Sequence, residues 1–487
     1  MSNLPERKYK HIERQQLTWG TLDLEKLVPA DDPARVIWEL TGRLDLSSFE
    51  ATVKTLQGEA GSPAWPPRVL LSVWLYAYQQ GISSANRLSQ MMAWHPGLMV
   101  LTGSQTINVH TLCDFRTAHR EALDELLRQL LSTLAEEGLV DFSTIVQDGT
   151  KLQARAGQGS GHRRASIEDK LQQAKAYMEQ VDRQSDEGAP PRQQAARQRA
   201  ARERVERLEA ALQEIRQVGG ENPQARVSIT EPEAKKMRHA QDGGCSYSYN
   251  VQLSAETGNN FIVGVAVTQD HNDLKQLEPS IATTHHFTGQ MPQRIIADGG
   301  YVTRSNIEAM AQAGIEFIAP VKKEQQRHAA MRARHGVAPE FDTSRFKTGA
   351  EGQLQCPAGK TLVVIGEKKH HGQMTRTFAA EASACAACEH KPSCCPNLAA
   401  RRIHQVLEPA AIRAHQARME TDRAKQLYRL RSKVAEFPHM RMKSDWGLRR
   451  FSVRGLCKVA SEMLLMVLAY NFSQWQWAIK QRSLAAA

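Results

Sequence analysis

Apolar residues recurring every three or four positions mark the helices of this chain, and short unbroken apolar runs mark its strands. Leu123, Leu126, Leu127, Leu130, Leu131 and Leu134 fall on one face of a helix. Ahead of them, Ser83-Ser84 and Asn108 are residue types that cap helix N-termini by accepting an otherwise unpaired backbone N–H. With breaks at Pro96-Gly97 and Thr102-Gly103, they predict a helix-break-helix pattern in a mostly helical region, 1–140. Trp38, Trp65, Trp74 and Trp94 are expected there as core aromatics. Further on, strand-like runs occupy 142–148, 247–255, 260–268, 293–298 and 315–321, with helical signals at 273–285 and 302–313. Three strands followed by helix, strand, helix, strand predict a mixed α/β sheet whose helices are crossovers.

About a hundred residues separate the first two of these strands. Ile167, Leu171, Ala174, Met178 and Val181 keep a 4-3-4-3 rhythm, and after Gly188-Ala189-Pro190-Pro191, Val205, Leu208, Leu212 and Ile215 keep 3-4-3. Two such seams joined by a turn predict an antiparallel helical hairpin inserted at 160–220. Its outer faces carry Arg, Gln and Glu, a solvated surface that could also serve dimerisation or DNA contact.

Charge narrows the partners. The 487 residues carry a formal net charge of +11, with Arg and Lys spread along the whole chain. Such an excess suits a polyanion, and nucleic acid is the first candidate; the helix-break-helix pattern is compatible with docking on DNA, and equally with a plain helical bundle. The opening Met1-Ser2-Asn3-Leu4-Pro5-Glu6 lacks the apolar core of a secretory signal. The run Met463 to Tyr470 is too short to cross a bilayer. A cytoplasmic, reducing location is expected, with the eight cysteines as thiols or metal ligands and not disulfides.

Two aspartates occupy equivalent places. Asp148 ends Ile145-Val146-Gln147-Asp148-Gly149 and Asp298 ends Ile295-Ile296-Ala297-Asp298-Gly299, each expected where a buried strand stops and the chain turns. Carboxylates at the mouth of a rigid sheet are placed to grip a divalent metal. Two metal ions call for a third acid from beyond the last strand. Glu408, Glu462 and Glu436 compete; Glu436 is preferred because Arg431, Arg441, Lys443, Arg449 and Arg450 surround it with the cations that a phosphate backbone needs. Pro438, two residues on, should either kink the helix or start a new one.

In these motifs the chain resembles the DDE transposases of bacterial insertion sequences. The resemblance rests on Asp148-Gly149-Thr150-Lys151, on Ala297-Asp298-Gly299-Gly300-Tyr301, and on Tyr428-x2-Arg431-x4-Glu436-x6-Lys443 followed by Gly447-Leu448-Arg449-Arg450-Phe451 and Arg454-Gly455-Leu456, with Leu468-Ala469-Tyr470-Asn471-Phe472 similar to the family's terminal helix. The third element is similar to the group's tyrosine-arginine-glutamate-lysine signature, with four residues between Arg and Glu where its best-known form has three. The resemblance implies an RNase H-like mixed sheet core at 141–321 and 405–480, following a helical N-terminal DNA-binding domain and interrupted by the hairpin and by a cysteine-bearing insertion at 322–404. It implies Asp148, Asp298 and Glu436 as catalytic ligands of two Mg²⁺ ions, replaceable by Mn²⁺, and Tyr428, Arg431, Lys443, Arg449 and Arg450 as DNA contacts. The implied partners are duplex DNA with terminal inverted repeats, target DNA, and a second copy of the chain on DNA, in the bacterial nucleoid and away from membranes. An inactive DNA-binding descendant and a general nuclease of the same fold are the competing readings.

Cys356, Cys385, Cys388 and Cys394, with Cys395 adjacent, can furnish a tetrahedral Zn²⁺ site, for which His370, His371 and His390 are substitutes; a metal-free thiol cluster is the other reading. Cys113, Cys245 and Cys457 stand alone and are expected as small buried hydrophobes.

Overall fold

The computed structural model describes residues 21–53, 62–183, 190–220, 222–239, 243–321, 335–349, 352–370 and 373–486. The chain separates into two compact units, Met1–Ala118 and His119–Ala487.

The first unit contains helices Pro33–Thr41, Pro67–Gln79, Ala85–Met91, Pro96–Thr102 and Val109–Ala118. The Ser84 hydroxyl accepts the Arg87 N–H at 3.3 Å and the Asn108 side chain accepts the Thr111 N–H at 2.8 Å, so both caps start helices. Gly103, at φ 63, closes the fourth of these helices in a left-handed conformation that most residues avoid. Trp74 is fully buried and donates to the Leu112 carbonyl at 3.1 Å, while Trp65 is half-buried. The expectation of core aromatics fails at Trp38 and Trp94, which are 38% and 62% exposed. Trp38 lies at the edge of a stripe formed by Ala34, Ile37, Leu40 and Thr41, with the Arg68 guanidinium stacked 3.9 Å from its ring; Trp94 falls in the link between two helices.

The second unit is built on a mixed sheet: β1 (Thr144–Gln153), β2 (Lys235–Arg238), β3 (Cys245–Glu256), β4 (Ile262–Thr268), β5 (Arg294–Ala297) and β6 (Glu316–Ile318). Spatial order is β3-β1-β5-β6, with β2 and β4 sharing the outer edge of β3. β1 runs antiparallel to β3 and parallel to β5, and β5 is parallel to β6. The helices are α1 (Arg120–Glu136), α2 (Arg164–Arg183), α3 (Pro191–Gly219), α4 (Leu277–Thr288), α5 (Arg304–Gln312), α6 (Ala410–Glu420), α7 (Asp422–Met440) and α8 (Leu456–Ala486).

Alternation along β1 sends its side chains to two different layers. Val146, with Ala255, Ile296 and Ile318, packs under Ala424, Val434 and Ala435 of α7. On the other face lie α4 and α8, which pack on β4 and on α1, whose leucine stripe is entirely buried. Each of those leucines contributes roughly 1.5–3 kcal/mol by leaving water. Asn471 of α8 clamps the edge of β4, accepting the Ile262 N–H at 2.9 Å and donating to its carbonyl at 2.8 Å. α8 is long and apolar enough to cross a membrane, yet 72% of that window is buried inside the protein, as befits a core helix.

Two excursions leave the sheet. α2 and α3 pack along Ile167, Leu171, Ala174, Val205, Leu208, Ala211 and Ile215, with Met178 and Leu212 beside them; Gly188 and Ala189 of the connecting turn lie outside the described residues. Residues 335–406 hold a five-stranded antiparallel sheet and two small apolar clusters that include Cys385, Cys394 and Cys395. Of the solitary cysteines, Cys245 and Cys457 are exposed and Cys113 is half-buried, against the expectation of burial. Cys245 opens an edge-pairing strand and Cys457 lies in the first turn of α8, both where packing is incomplete.

Candidate active site

The parallel ladder between β1 and β5 ends at Gln147 opposite Ala297, so Asp148 and Asp298 are the next residues on neighbouring strands. This juxtaposition follows from register, since every paired position differs by the same offset. Asp298 does close its strand. Asp148 does not: β1 continues to Gln153, pairing Asp148 with Leu253 and Gly149 with Gln252. The Asp-Gly pair in β1 is therefore no turn, and its glycine serves a different need. A Cβ on Gly149 would lie 2.5 Å from Asp273 Oδ1 and 2.6 Å from Gln252 Nε2.

That close approach belongs to a buried polar ladder on the face of β1 opposite Asp148. Asp273 Oδ1 accepts from Asn250 Nδ2 at 2.8 Å and Gln252 Nε2 at 2.6 Å. Gln147 Nε2 donates to Gln252 Oε1 at 2.9 Å, Ser254 Oγ donates to Gln147 Oε1 at 2.6 Å, and the Tyr301 hydroxyl bonds Gln252 Oε1. Buried polar groups are tolerated only when paired, and such networks rigidify the elements they join. Here the joined parts are β1, β3 and the turn after Asp298. Sequence reading missed Asn250, Gln252 and Asp273; the polar residues at alternate positions of β3 were the available signal.

On the other face, α7 delivers a guanidinium to the acids. Arg431 Nη2 lies 3.0 Å from Asp148 Oδ1 and 4.0 Å from Asp298 Oδ2. His439, also missed from the sequence, places Nε2 3.5 Å from Asp148 Oδ2. Burial would raise the Asp148 pKa, but hydrogen bonding and charge from His439 and Arg431 outweigh it and hold the carboxyl below its ordinary value. Asp298 goes the other way: burial pushes it up, reinforced by the Asp148 and Asp273 charges, although the Gly300 N–H (2.7 Å) and Arg431 oppose. Two neighbouring carboxylates with oppositely displaced pKa values are an arrangement found where acids share charge. Tyr428 packs beside Arg431 on the Val146 cluster.

α7 does not restart at Pro438; it runs through it to Met440 and widens into a π-helical turn, Arg441–Asp445. A π turn inserts a residue into a helix and re-aims the side chains beyond it. This one brings Lys443 back over the sheet, where its Nζ donates to Thr150 Oγ1 and burial lowers its pKa despite the nearby Asp148. Arg449 and Arg450 are not at the acids. Their segment pairs with the far end of β1 through Gln153, about 17 Å of extended strand from Asp148.

Glu436 is exposed, on the turn of α7 between Ala435, which packs on the sheet, and His439. Its carboxylate is not assembled with Asp148 and Asp298, and among the described residues no group of three or more His, Cys, Asp or Glu side chains is arranged to hold a metal ion. The competing acids are committed elsewhere. Glu462 is 0% exposed and accepts the Ser452 N–H at 2.9 Å; Glu408 pairs with Arg304 at 2.5 Å. In the other excursion, Cys356, Cys385, Cys388, Cys394, Cys395 and His390 line one small cavity, the cysteines all as free thiols, and burial pushes Cys394 up to about 12. His371 and the His370 side chain lie outside the described residues.

No curated protein matches the chain. Two separate segments match family models: residues 22–118 a transposase domain (DUF772), and residues 355–475 a transposase DDE domain that spans Arg431, Glu436 and Lys443. Paired aspartates at the end of a parallel ladder and two separate transposase-domain matches in sequence order support a DDE transposase of the insertion-sequence type.

Proposed function

We propose that this chain cuts DNA strands at the ends of its own element and transfers them to target DNA, using divalent metal held by Asp148, Asp298 and Glu436 in an RNase H-like core. The observation that carries the proposal is the placement of Asp148 and Asp298 side by side, one residue beyond the last rung between β1 and β5, with the Arg431 guanidinium across them. Hard carboxylate oxygens held side by side on a rigid sheet fit Mg²⁺ or Mn²⁺. Bound as a pair, such ions activate the attacking oxygen and stabilise the leaving one. The residues of the chain do the rest. Arg431 neutralises the two acids, a charge that bound metal would replace, leaving the guanidinium to the DNA backbone; Lys443, lodged by burial beside Thr150, would hold a phosphate near Asp148. Glu436, one helical turn from His439, would complete the ligand set. The substrate is duplex DNA with terminal inverted repeats, bound by a homodimer, with the helical N-terminal region and Tyr428, Arg449 and Arg450 adding contacts.

The test is nicking of labelled element ends in Mg²⁺ or Mn²⁺. Asp148→Asn, Asp298→Asn and Glu436→Gln should each lower cleavage by more than about a hundredfold, beyond the effect of residues that only support a metal ligand, with DNA binding retained. Full cleavage by Glu436→Gln would remove that residue from the proposal. The exposure of Glu436 favours a second reading, a DNA-binding descendant that shifts element ends without nicking them.

The cysteine cavity extends the proposal to a structural Zn²⁺ on Cys356, Cys385, Cys388 and Cys394. Its support is that these cysteines line one small cavity, though not at metal-ligand geometry, together with N–H···S bonds from Lys360 to Cys356 (3.2 Å) and from Arg401 to Cys385 (3.5 Å). Stoichiometric zinc in purified protein, lost with Cys385→Ser, is expected; metal-free folded protein would leave a thiol cluster.

A further inference from the structure

Away from the acids, three separate parts of the chain bring cations into one hollow. Lys170 of α2, Arg204 and Arg207 of α3, and Arg454 ahead of α8 line a concavity of about 290 Å³ together with Leu208, Ile229 and Thr230. Elsewhere on the same two helices several charges are neutralised: Lys175 pairs with Glu209 at 2.7 Å, Arg164 with Glu168 at 2.9 Å, Arg183 with Glu179 at 3.3 Å and Arg202 with Asp182 at 3.8 Å. Among the described residues, Lys170, Arg204, Arg207 and Arg454 have no carboxylate within ion-pair distance. The nearest acids hold the loop. Glu231 accepts the Gly455 N–H at 3.0 Å and the Tyr249 hydroxyl at 2.9 Å, and Glu233 accepts the Leu456 N–H. Burial and then the like charges of Arg155, Arg207 and Arg450 depress the Arg454 pKa in spite of the Glu231 charge, a sign of cations crowded beyond their compensation.

We propose that this hollow is a binding site for the phosphate backbone of duplex DNA, distinct from the acid site and formed jointly by the helical hairpin and the segment before α8. The geometry adds a position. Arg155 and the 449–454 segment flank the far end of β1: Arg155 donates to the Ser452 carbonyl at 2.6 Å, and Gln153 bridges to Arg450. The strand from Asp148 to Gln153 spans about 17 Å. At about 3.4 Å per base pair, the contacted phosphates lie about five base pairs or more from the bond at the acids. The hairpin is thereby assigned a role in holding the DNA flank, and the inference rests on the transposase reading only for the identity of the DNA.

The full-length chain carrying Arg204→Gln, Arg207→Gln and Arg454→Gln together, all exposed positions, should keep its melting temperature. The slope of log Kd against log salt for an element-end duplex should fall by about three, at roughly 0.9 per phosphate contact. The same three positions changed to Lys should restore the slope, because charge and not shape is required. Ethylation interference should lose its signal about five base pairs or more from the cut and keep it at the cut. An unchanged slope, or an equal fall in an Arg192→Gln/Arg199→Gln control on the outer part of α3, would overturn the proposal. Wild-type chain that binds DNA with a steep slope and never nicks it would sink the cleavage reading while leaving this site standing.

Discussion

Arg431 and Arg454 carry the same charge in opposite company. Arg431 lies between Asp148 and Asp298, and although burial alone would lower its pKa, those two carboxylates raise it. Arg454 stands among Arg155, Arg207 and Arg450, and burial with their repulsion lowers its pKa. Near β1's middle, the chain supplies its own counter-charge; near β1's end, it withholds most of one. A buried charge must be compensated by something. The acid site is compensated internally, whereas the largely exposed cations of the hollow have only solvent and the distant Glu231 charge to balance them, which leaves them available to an external anion. One strand, Thr144–Gln153, links both.

The largest expected effects would break the comparison outright. Loss of nicking in the three carboxylate variants, with the salt slope intact, would show chemistry confined to the first region. A reduced slope in the triple arginine variant, with nicking retained at low salt, would show backbone binding confined to the second.

Intermediate effects concern stability without metal. The folded pKa of Asp148 is lowered, so its contribution is present above the ordinary carboxylate value and is lost as pH falls through the folded one. Asp298 is raised, so its contribution is present below the ordinary value and is lost as pH rises through the folded one. At neutral pH, Asp148→Asn should therefore lower the melting temperature and Asp298→Asn should raise it, both by a few degrees. Thermal melts from pH 3 to 8 in chelator check this, and two shifts of the same sign would refute the assigned division of charge. A smaller effect should come from Gly149→Ala, whose Cβ would press on Asp273 and Gln252. Destabilisation of about 1–3 kcal/mol is expected for such overpacking, against none for Gly157→Ala, where nothing lies within 4 Å. Chemical denaturation compares the two.

Much of the fold was legible because its signals are local. The leucines of α1, the seams of α2 and α3, and the apolar runs of β1, β3, β4, β5 and β6 each announce themselves within a dozen residues. The candidate site was legible in part. Asp148 and Asp298 sit in matching runs, but the reading of both as strand ends misjudged β1, because Asp-Gly signals a turn unless something distant needs the glycine's empty side. Trp38 and Trp94 were misplaced for a related reason: a large aromatic says that burial is favourable, and only the neighbouring helices decide whether room exists.

By itself, then, the sequence determined which segments are helix or strand and which two carboxylates follow matching apolar runs, since periodicity and residue type act over short stretches of chain. Tertiary structure decided the rest. The offset that sets Asp148 beside Asp298, the π turn that returns Lys443 to Thr150, and the meeting of Lys170, Arg204, Arg207 and Arg454 all join residues tens to hundreds of positions apart. Electrostatic energy depends on distances in space, and those exist only once the sheet has paired and the helices have packed.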